Sequence, residues 1–354
     1  MSRFFSSNYS TLVPYTPGEQ PKNRKYVKLN TNESPFPPSP VAQAAAAEAA
    51  QDLQLYPDPE CTLLVEKAIQ TWDVAADELL FTNGSDETLY FAFMAFCDEA
   101  HPAAFPDITY GFYPVYAKLC GIPYTEIPLR EDFSVCVADY IGRNETIFIA
   151  NPNAPTGLAL SLEDIEAIVK SNPNNVVVID EAYVDFGTQS AVPLIHKYDN
   201  LLVIQTFSKS RSMAGARLGI GFGSRDLIRD LNTLKYSTNP YNINRLTMAA
   251  GIGALTDSAY FESNCKYIIE TRHETAQQLK KIGFTVTDSK ANFLFAAHPK
   301  LPGKELYLQL KEMGILVRHF DKPRLTDYNR ITIGSREQMA ILINAIRKIL
   351  EETL

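Results

Sequence analysis

The sequence predicts an α/β fold in which a mostly parallel sheet is covered by helices. Between about residues 62 and 222, short apolar runs alternate with segments of helical composition. Several of these runs are almost continuously apolar or β-branched, as in strands that are buried on both faces. The chain has 354 residues, of which 45% are hydrophobic. This length indicates two domains, or one large domain with a smaller appendage.

The first 38 residues are expected to form an extended N-terminal arm. Proline and the residue before it disfavour helix, and this segment is rich in proline. Its prolines are Pro14, Pro17, Pro21, Pro35, Pro37 and Pro38. The alanine-rich residues 41–50 then predict a helix.

Residues 39–241 are predicted to form the large domain. A helix is expected from Ser161 to about Lys170, because Ser161 and the acid three residues later, Asp164, form a helix-capping pattern. A second, strongly apolar helix is expected over 87–96. The strands of this domain are expected at 79–82, 146–150, 176–179 and 201–205.

Residues 242–354 are predicted to form a connecting helix and a smaller α+β domain. The segment 242–281 contains no proline and has a helical composition, so a single long helix is expected there. Beyond it, short strands alternate with helices. The strands are expected at 284–287, 292–295, 315–318 and 330–333, and the helices at 303–313 and 335–352.

The composition argues against several functional classes. The chain has 33 Lys+Arg and 41 Asp+Glu residues, a formal net charge of −8, which disfavours a nucleic-acid surface. The cysteines are odd in number and far apart, and the histidines are scattered, so reduced thiols and no metal site are expected. A signal peptide and a membrane-spanning stretch are not recognised. We therefore expect a cytoplasmic protein with no membrane partner.

Polar residues follow four of the predicted strands, and ligands of open parallel sheets bind beyond the carboxyl ends of the strands. The four segments are residues 83–86, 151–157, 180–183 and 206–209. Each is a weak signal alone, since a Gly-Ser turn is usually a helix cap and a lysine is usually surface charge. Together they would supply one edge of the sheet with an anion-binding turn, an asparagine-rich loop, a carboxylate, a phenol and an amine.

This combination of groups is what a pyridoxal phosphate site requires. Lys209 can bind the cofactor aldehyde, Asp180 can hold the pyridine nitrogen protonated, and Tyr183 can reach the ring oxygen. The phosphate needs donors, which a helix N-terminus and an arginine supply. The candidates for this role are Gly84, Ser85, Asp86, Ser208 and Arg217.

Five segments carry a resemblance to a known family: Leu29 to Pro35, Tyr56 to Asp58, Asn83 to Glu87, Val178 to Tyr183, and Ser208 to Arg217. Ser208-Lys209 followed by Ala214-Gly215-Ala216-Arg217 is the most specific, because it looks like the pattern around a cofactor-binding lysine. Over essentially its full length the chain resembles the fold-type I pyridoxal-phosphate enzymes, and within them the histidinol-phosphate aminotransferase family.

The resemblance implies a fold, a reaction and an assembly. The fold has a mostly parallel seven-stranded sheet covered by helices, a smaller C-terminal α+β domain and an N-terminal arm. The reaction is a transamination between histidinol phosphate and 2-oxoglutarate in histidine biosynthesis, with pyridoxal 5'-phosphate held by Lys209 as an internal aldimine. The assembly is a homodimer with shared sites, in which Tyr56 reaches the phosphate of the cofactor in the neighbouring subunit.

The resemblance also assigns roles that spacing does not show. It implies that Tyr110 stacks on the cofactor ring and that Asn153 lies at the cofactor. It further implies a set of substrate-binding residues, in which two arginines bind anionic groups and two arm residues close over the substrate. These are Arg318, Arg330, Tyr15 and Asn32.

The loop 151–157 departs from the family pattern at one position. The family loop usually reads N-P-N-N-P-T-G, and its second adjacent asparagine donates to the ring oxygen, whereas this chain has Ala154 there. Either a neighbouring asparagine, Asn151 or Asn153, replaces that donor, or Tyr183 serves the ring oxygen alone. The substrate prediction is the one that this departure affects, because the lysine, the carboxylate and the phosphate-binding turn are retained.

Two other functions stay open from the sequence. A related pyridoxal-phosphate enzyme, such as a threonine-phosphate decarboxylase or an aminotransferase for aromatic or aliphatic amino acids, would use the same Lys209 and Asp180. A non-catalytic protein with the same fold is disfavoured, because both of those residues are present.

Overall fold

The structure is a computed structural model that describes residues 2–353. Its strands, numbered in chain order, are β1 Val27–Lys28, β2 Leu79–Thr82, β3 Ala103–Pro106, β4 Tyr124–Ile127, β5 Thr146–Ala150, β6 Val177–Asp180, β7 Leu201–Thr206, β8 Gly219–Gly223, β9 Thr285–Val286, β10 Phe293–Ala297, β11 Ile315–Leu316, β12 Arg318–His319 and β13 Tyr328–Thr332. Its α-helices are α1 Pro40–Ala49, α2 Thr62–Ile69, α3 Ser85–Phe96, α4 Tyr113–Cys120, α5 Leu162–Ser171, α6 Arg225–Thr238, α7 Arg245–Thr256, α8 Ser258–Lys281, α9 Gly303–Glu312 and α10 Arg336–Thr353.

A seven-stranded sheet with the order β2-β8-β7-β6-β5-β3-β4 is the centre of the larger part of the molecule. Strand β8 runs antiparallel to both of its neighbours, and the pairs among β3 to β7 are parallel. Alternate side chains of β6 join different hydrophobic clusters, Val177 and Ile179 on one face and Val178 on the other. Both faces are therefore covered, and the predicted α/β fold with a mostly parallel seven-stranded sheet is confirmed.

The elements predicted for this part lie close to the observed ones. The predicted bounds of β2 and β5 match the structure, and β6 and β7 each end one residue later than predicted. Helix α5 begins after Ser161, whose Oγ accepts a hydrogen bond from the backbone N–H of Asp164 at 3.1 Å. The capping pattern is confirmed.

The C-terminal part contains a four-stranded antiparallel sheet with the order β12-β13-β10-β9. Residues of α8, α9 and α10 pack with this sheet in one hydrophobic cluster. The N-terminal arm joins this part through β1, which pairs in parallel with β11. Next to β1, the carbonyl of Leu29 accepts a hydrogen bond from the N–H of Thr332 at 3.0 Å, so this segment is bound to both β11 and β13.

Two sequence predictions are wrong in this part of the chain. The single helix expected over 242–281 is two helices, α7 and α8, separated at Asp257, whose carboxylate accepts a hydrogen bond from Tyr260 N–H and caps α8. Helix α7 packs closely on α1, because Gly253 lies directly against the backbone of Ala42. The strand expected over 315–318 is interrupted at Val317, since β11 pairs with β1 whereas β12 pairs with β13.

The domain boundaries at 38/39 and 241/242 stay a prediction. Among residues 2–353, no helix combines the length and the apolar character that crossing a membrane requires.

Candidate active site

A cavity lies beyond the carboxyl ends of β5, β6 and β7, at the edge of the sheet where the sequence predicts a site. It is bounded by the start of α3 on one side and by the end of the N-terminal arm, at Thr31 and Glu33, on the other. The predicted residues that line it are Ser85, Asp86, Tyr110, Asp180, Tyr183, Ser208, Lys209 and Arg217.

Lys209 follows β7 and extends into this cavity. Its Nζ donates a hydrogen bond to the carbonyl of Thr31 at 3.2 Å and lies 5.9 Å from the centroid of the Tyr183 ring. Burial, together with the positive charge of Arg330, lowers the pKa of Lys209 to about 8. A substantial fraction of the amine is therefore neutral near physiological pH and can act as a nucleophile or a base.

Asp180 is the last residue of β6 and is almost completely buried. Its Oδ2 accepts a hydrogen bond from Tyr113 Oη at 3.0 Å, and its Oδ1 accepts one from the N–H of Ala182 at 3.2 Å. Burial raises the pKa of Asp180 to about 6, and these two donors oppose the rise. The carboxylate is thus mostly ionised at neutral pH and is fixed in orientation, as a partner for a protonated ring nitrogen must be.

The turn between β2 and α3 forms the anion-binding side of the cavity. Gly84 caps α3 with a φ of 81°, and the first N–H groups of a helix have no partner within it. Gly219 of β8 lies directly under this turn, since a Cβ atom there would be 2.3 Å from Ser85 N. A Cβ on Gly84 would be 2.4 Å from Arg217 Nη2. The absence of a side chain at Gly84 and at Gly219 therefore allows the turn, the start of α3 and the guanidinium of Arg217 to lie close together.

Asp86, in the first turn of α3, connects the anion-binding turn to the aromatic wall of the cavity. Its Oδ2 accepts a hydrogen bond from Arg217 Nη2 at 2.9 Å, and its Oδ1 accepts one from Tyr110 Oη at 2.7 Å. The Tyr110 ring lies edge-on to Tyr113, with centroids 5.8 Å apart. Tyr110 is thereby held at both its ring and its hydroxyl.

Residues 30–33 join the cavity to the C-terminal sheet. The carbonyl of Asn30 accepts a hydrogen bond from Arg330 Nη2 at 2.9 Å. Asn32 is 1% exposed, and its Nδ2 donates to Tyr183 Oη at 2.9 Å. Thr332, the last residue of β13, donates to Asn32 Oδ1 at 3.0 Å. The site is therefore built from the arm, the large sheet and the C-terminal sheet.

A second cavity adjoins the first and shares Tyr110 and Ala154 with it. Three of the predicted substrate-binding residues, Tyr15, Arg318 and Arg330, line this cavity. Tyr15 stacks on Phe112, with centroids 4.2 Å apart. Arg318 donates to the carbonyls of Thr16 and Pro17, both at 3.1 Å, and so holds the arm over the cavity.

The cationic character of the second cavity suits an anionic ligand. Lys118 and Lys322 also line it, beside Arg318 and Arg330. The Nε atom of Arg330 is buried, and it has no hydrogen-bond partner among residues 2–353. A buried donor without a partner is costly, so a ligand that accepts this hydrogen bond would be stabilised.

Three predicted residues line neither of these two cavities, and their roles stay predictions. Asn153 is outside the Lys209 cavity, because its amide accepts from Thr109 Oγ1 at 2.8 Å and donates to the carbonyl of Ile108 at 3.0 Å. Asn32 contacts Tyr183 and does not line the second cavity. Tyr56 is 78% exposed and stacks on Tyr241 with centroids 4.8 Å apart, away from the cavity of its own chain.

The donor set of the Lys209 cavity fits pyridoxal phosphate. An amine, a buried carboxylate and a phenol surround the space for a ring, and a helix N-terminus with an arginine lies beside them. The loop 151–157 contributes no side-chain amide to this space, because Asn151 Oδ1 accepts from the N–H of Leu160 at 2.7 Å and Asn153 is bound as described. Of the alternatives left open by the sequence, the geometry favours Tyr183 as the donor to a ring oxygen.

Several residues of the site were not identified from the sequence. Tyr113 begins α4 and reads as a core aromatic, so no signal in the sequence marks its contact with Asp180. Thr31 and Glu33 lie within a segment that resembles the family, but the resemblance assigned them no role. Thr332 lies 300 residues from Asn32, and no local pattern connects the two.

Comparison with known proteins agrees with this geometry. The family model described as aminotransferase class I and II matches residues 24–346. The histidinol-phosphate aminotransferase of Brachyspira hyodysenteriae is 48% identical over 353 residues, which is 99% of this chain and all of that protein. The enzyme of the same name from a Marinomonas species is 49% identical over 353 residues, again 99% of this chain and all of that protein.

Solved structures share the fold over nearly the whole chain. A putative histidinol-phosphate aminotransferase from Erwinia carotovora atroseptica has a TM-score of 0.85 at 27% identity and covers 92% of this chain and 96% of its own. The histidinol-phosphate aminotransferase from Sinorhizobium meliloti in complex with pyridoxal-5'-phosphate has a TM-score of 0.89 at 20% identity, covering 100% and 99% of the two chains. The fold, the full-length relatives and the matched family model lead to one conclusion: the chain belongs to the aminotransferase class I and II family.

Proposed function

We propose that this protein is a pyridoxal-phosphate-dependent aminotransferase that moves the amino group of histidinol phosphate to 2-oxoglutarate. The observation that carries the proposal is the pairing of two cavities. One contains a half-buried lysine and a buried carboxylate beside a helix N-terminus, and the other, which shares a wall with it, is lined by cationic side chains. Full-length relatives at 48–49% identity bear the name of this activity.

The residues of the first cavity would hold the cofactor and move protons. Pyridoxal phosphate supplies a conjugated ring that accepts the electrons released when the Cα–H bond of the amine breaks. Asp180 would keep the ring nitrogen protonated, and Tyr183 would donate to the ring oxygen. Tyr110 would lie against the ring. The backbone N–H groups of Ser85 and Asp86, together with the hydroxyl groups of Ser85 and Ser208 and the guanidinium of Arg217, would bind the phosphate.

Lys209 would have two roles in turn. Its amine would first hold the cofactor and then, once the substrate amine has taken that position, would accept the α-proton at Nζ and later release it. The lowered pKa of Lys209 supports both steps, because a neutral amine is required for each.

The second cavity would hold the anionic groups of both substrates in turn. Arg330 would bind a carboxylate or phosphate oxygen through the Nε atom that lacks a protein partner. Arg318 would add a second cation, and its hydrogen bonds to arm carbonyls bring Tyr15 over the same space. Asn32 would affect the reaction only through its hydrogen bond to Tyr183.

We further propose a cytoplasmic homodimer. Tyr56 and three neighbouring side chains, Leu53, Leu55 and Tyr241, are exposed and apolar, and a monomer gains nothing from such a patch. In a dimer, Tyr56 would reach the cofactor phosphate of the other subunit. Sedimentation equilibrium of the purified protein tests this proposal: a dimer is expected, and a protein that stays monomeric at micromolar concentration would overturn it.

The activity is tested by incubating the reconstituted protein with histidinol phosphate and 2-oxoglutarate and measuring glutamate. We expect the wild type to form one glutamate for each histidinol phosphate that it consumes. Lys209→Ala should form no glutamate and should lack the visible absorption of lysine-bound cofactor. A parallel incubation with threonine phosphate measures carbon dioxide. Carbon dioxide release without glutamate formation would replace the proposal by a decarboxylase.

A further inference from the structure

Asn32 is held in an unusual backbone conformation by contacts on all of its polar groups. Its φ is 57°, in the left-handed region that asparagine tolerates better than most residues. The backbone N–H donates to Thr332 Oγ1 at 2.9 Å, and the carbonyl accepts from Asn292 Nδ2 at 3.0 Å. This residue lies in the motif-bearing segment 29–35, yet its side chain faces Tyr183 rather than the cationic cavity.

The hydrogen bonds around Asn32 run in one direction. Because Thr332 Oγ1 accepts from the Asn32 N–H, its own hydrogen is available for Asn32 Oδ1, which lies 3.0 Å away. The side-chain carbonyl is thereby assigned, and the amide nitrogen faces Tyr183 Oη at 2.9 Å. Since the phenol oxygen accepts that bond, the hydroxyl hydrogen of Tyr183 is left to donate elsewhere.

We propose that Asn32 and Thr332 are a positioning pair that directs the hydroxyl hydrogen of Tyr183 into the Lys209 cavity, toward the ring oxygen of the cofactor. The inference rests on the proposed function and deepens it. Its weight comes from the loop 151–157, where Ala154 has no polar side chain and Asn153 is bound to backbone and to Thr109. Tyr183 is therefore the phenol on which the ring oxygen depends, and its direction matters.

The hydroxyl of Tyr183 is surrounded by groups that act on its electrostatics. Burial raises the pKa of Tyr183, while the charge of Arg330 and the hydrogen bond from Asn32 lower it. The charged groups that act on it are Arg330 from β13, Asp180 from β6, Asp86 from α3 and Lys209 from the loop after β7. All of these charged groups are retained when Asn32 or Thr332 is changed, so a variant at either position isolates the contribution of the positioning pair.

The test is a pH titration of the absorption band of the reconstituted holoenzyme. A donor on the ring oxygen stabilises its negative charge, so without that donor the neighbouring nitrogen of Lys209 keeps its proton to higher pH. We expect Asn32→Gly, which suits the positive φ, to raise the midpoint by about 0.5–1 pH unit. Tyr183→Phe should raise it further, and adding Asn32→Gly to Tyr183→Phe should cause no additional shift.

Two matched variants at position 332 separate the effect of the positioning pair from an effect of general packing. Thr332→Ser retains the hydroxyl and should keep the wild-type midpoint, whereas Thr332→Val has a similar shape without the hydroxyl and should shift the midpoint in the same direction as Asn32→Gly. This pair decides the question if Asn32→Gly does not fold. Circular dichroism melting of the cofactor-free variants accompanies each titration and identifies a loss of structure.

The possible failures are distinguishable. If the wild type forms no visible band with pyridoxal phosphate, the proposed function itself is overturned. If the band forms and folded Asn32→Gly and Thr332→Val both retain the wild-type midpoint, the positioning pair is overturned while the proposed function stands. An equal shift from Asn32→Gly in the wild-type and Tyr183→Phe backgrounds would also overturn it, because the effect would not pass through Tyr183.

Discussion

Gly219→Ala should damage cofactor binding without changing any group that touches the cofactor. Gly219 is the first residue of β8, and its ideal Cβ would lie 2.3 Å from Ser85 N, 2.4 Å from the carbonyl carbon of Gly84 and 2.8 Å from its oxygen. These are backbone atoms of the anion-binding turn, so no side-chain rotation relieves the contact. Either the turn moves away from the sheet or β8 distorts.

The size of the effect follows from those distances. To reach an ordinary contact of 3.4 Å from the 2.3 Å of the unrelaxed methyl group, the turn must retreat by roughly 1 Å. Overpacking of this kind costs about 1–3 kcal/mol of unfolding free energy. Charge-assisted hydrogen bonds to a phosphate are worth about 1.5–3 kcal/mol each, so displacing the N–H groups should weaken pyridoxal phosphate binding by about 10- to 100-fold.

The assay is equilibrium titration of the cofactor-free protein with pyridoxal phosphate, together with thermal melting. Gly215→Ala is the matched control, because a Cβ there meets nothing within 4 Å although the residue lies in the same segment after Lys209. We expect near wild-type affinity from Gly215→Ala. The steric reasoning would be refuted if Gly219→Ala bound the cofactor as tightly as the wild type and melted at the same temperature.

Three further predictions concern charge. In the cofactor-free protein the folded state holds Lys209 with a pKa of about 8, below its ordinary value of 10.5, so the wild type should gain about 3 kcal/mol of stability relative to Lys209→Met as the pH rises from 8 to 10.5. Denaturant unfolding at a series of pH values measures this gain, and a constant difference between the two proteins would contradict it. Tyr113→Phe removes a donor to Asp180 and should raise the pKa of that carboxyl above about 6. Cofactor affinity should therefore fall about fivefold more at pH 6 than at pH 8, and an equal loss of affinity at both pH values would argue against this role of Tyr113. Arg330→Lys should raise the KM for both the amine and the keto acid about tenfold and leave the cofactor absorption unchanged, because lysine lacks the Nε donor. Unaltered KM values would exclude Arg330 from substrate binding.

The sequence was most informative where local composition and topology agree. The central strands could be predicted because their apolar runs are buried on both faces, as for Val177 to Ile179. The position of the site follows from the rule that parallel strands end at one edge of a sheet, which predicts that Asp180 and Lys209 lie close together. A resemblance in several ordered segments then added the reaction and the roles of Tyr110, Arg318 and Arg330.

The remaining features depend on contacts between distant segments. Tyr113 looks like any core aromatic until the sheet places Asp180 beside it. The break at Asp257 could not be seen because a polar residue in a long helical segment is also compatible with an unbroken helix. The resemblance implies that Asn153 lies at the cofactor, whereas in the structure its amide is satisfied by Ile108 and Thr109, which are 45 and 44 residues earlier in the chain.

The pairing of β1 with β11, and of Leu29 with Thr332, has a consequence for the order in which the protein is made. During synthesis the arm leaves the ribosome first but finds its strand partners only when residues 315–332 have emerged. Until then the carbonyl of Thr31 is not fixed beside Lys209, and Tyr183 lacks the partner that Asn32 provides. A nascent or truncated chain therefore has the lysine without the complete site, and competence for the reaction arises only in the finished polypeptide.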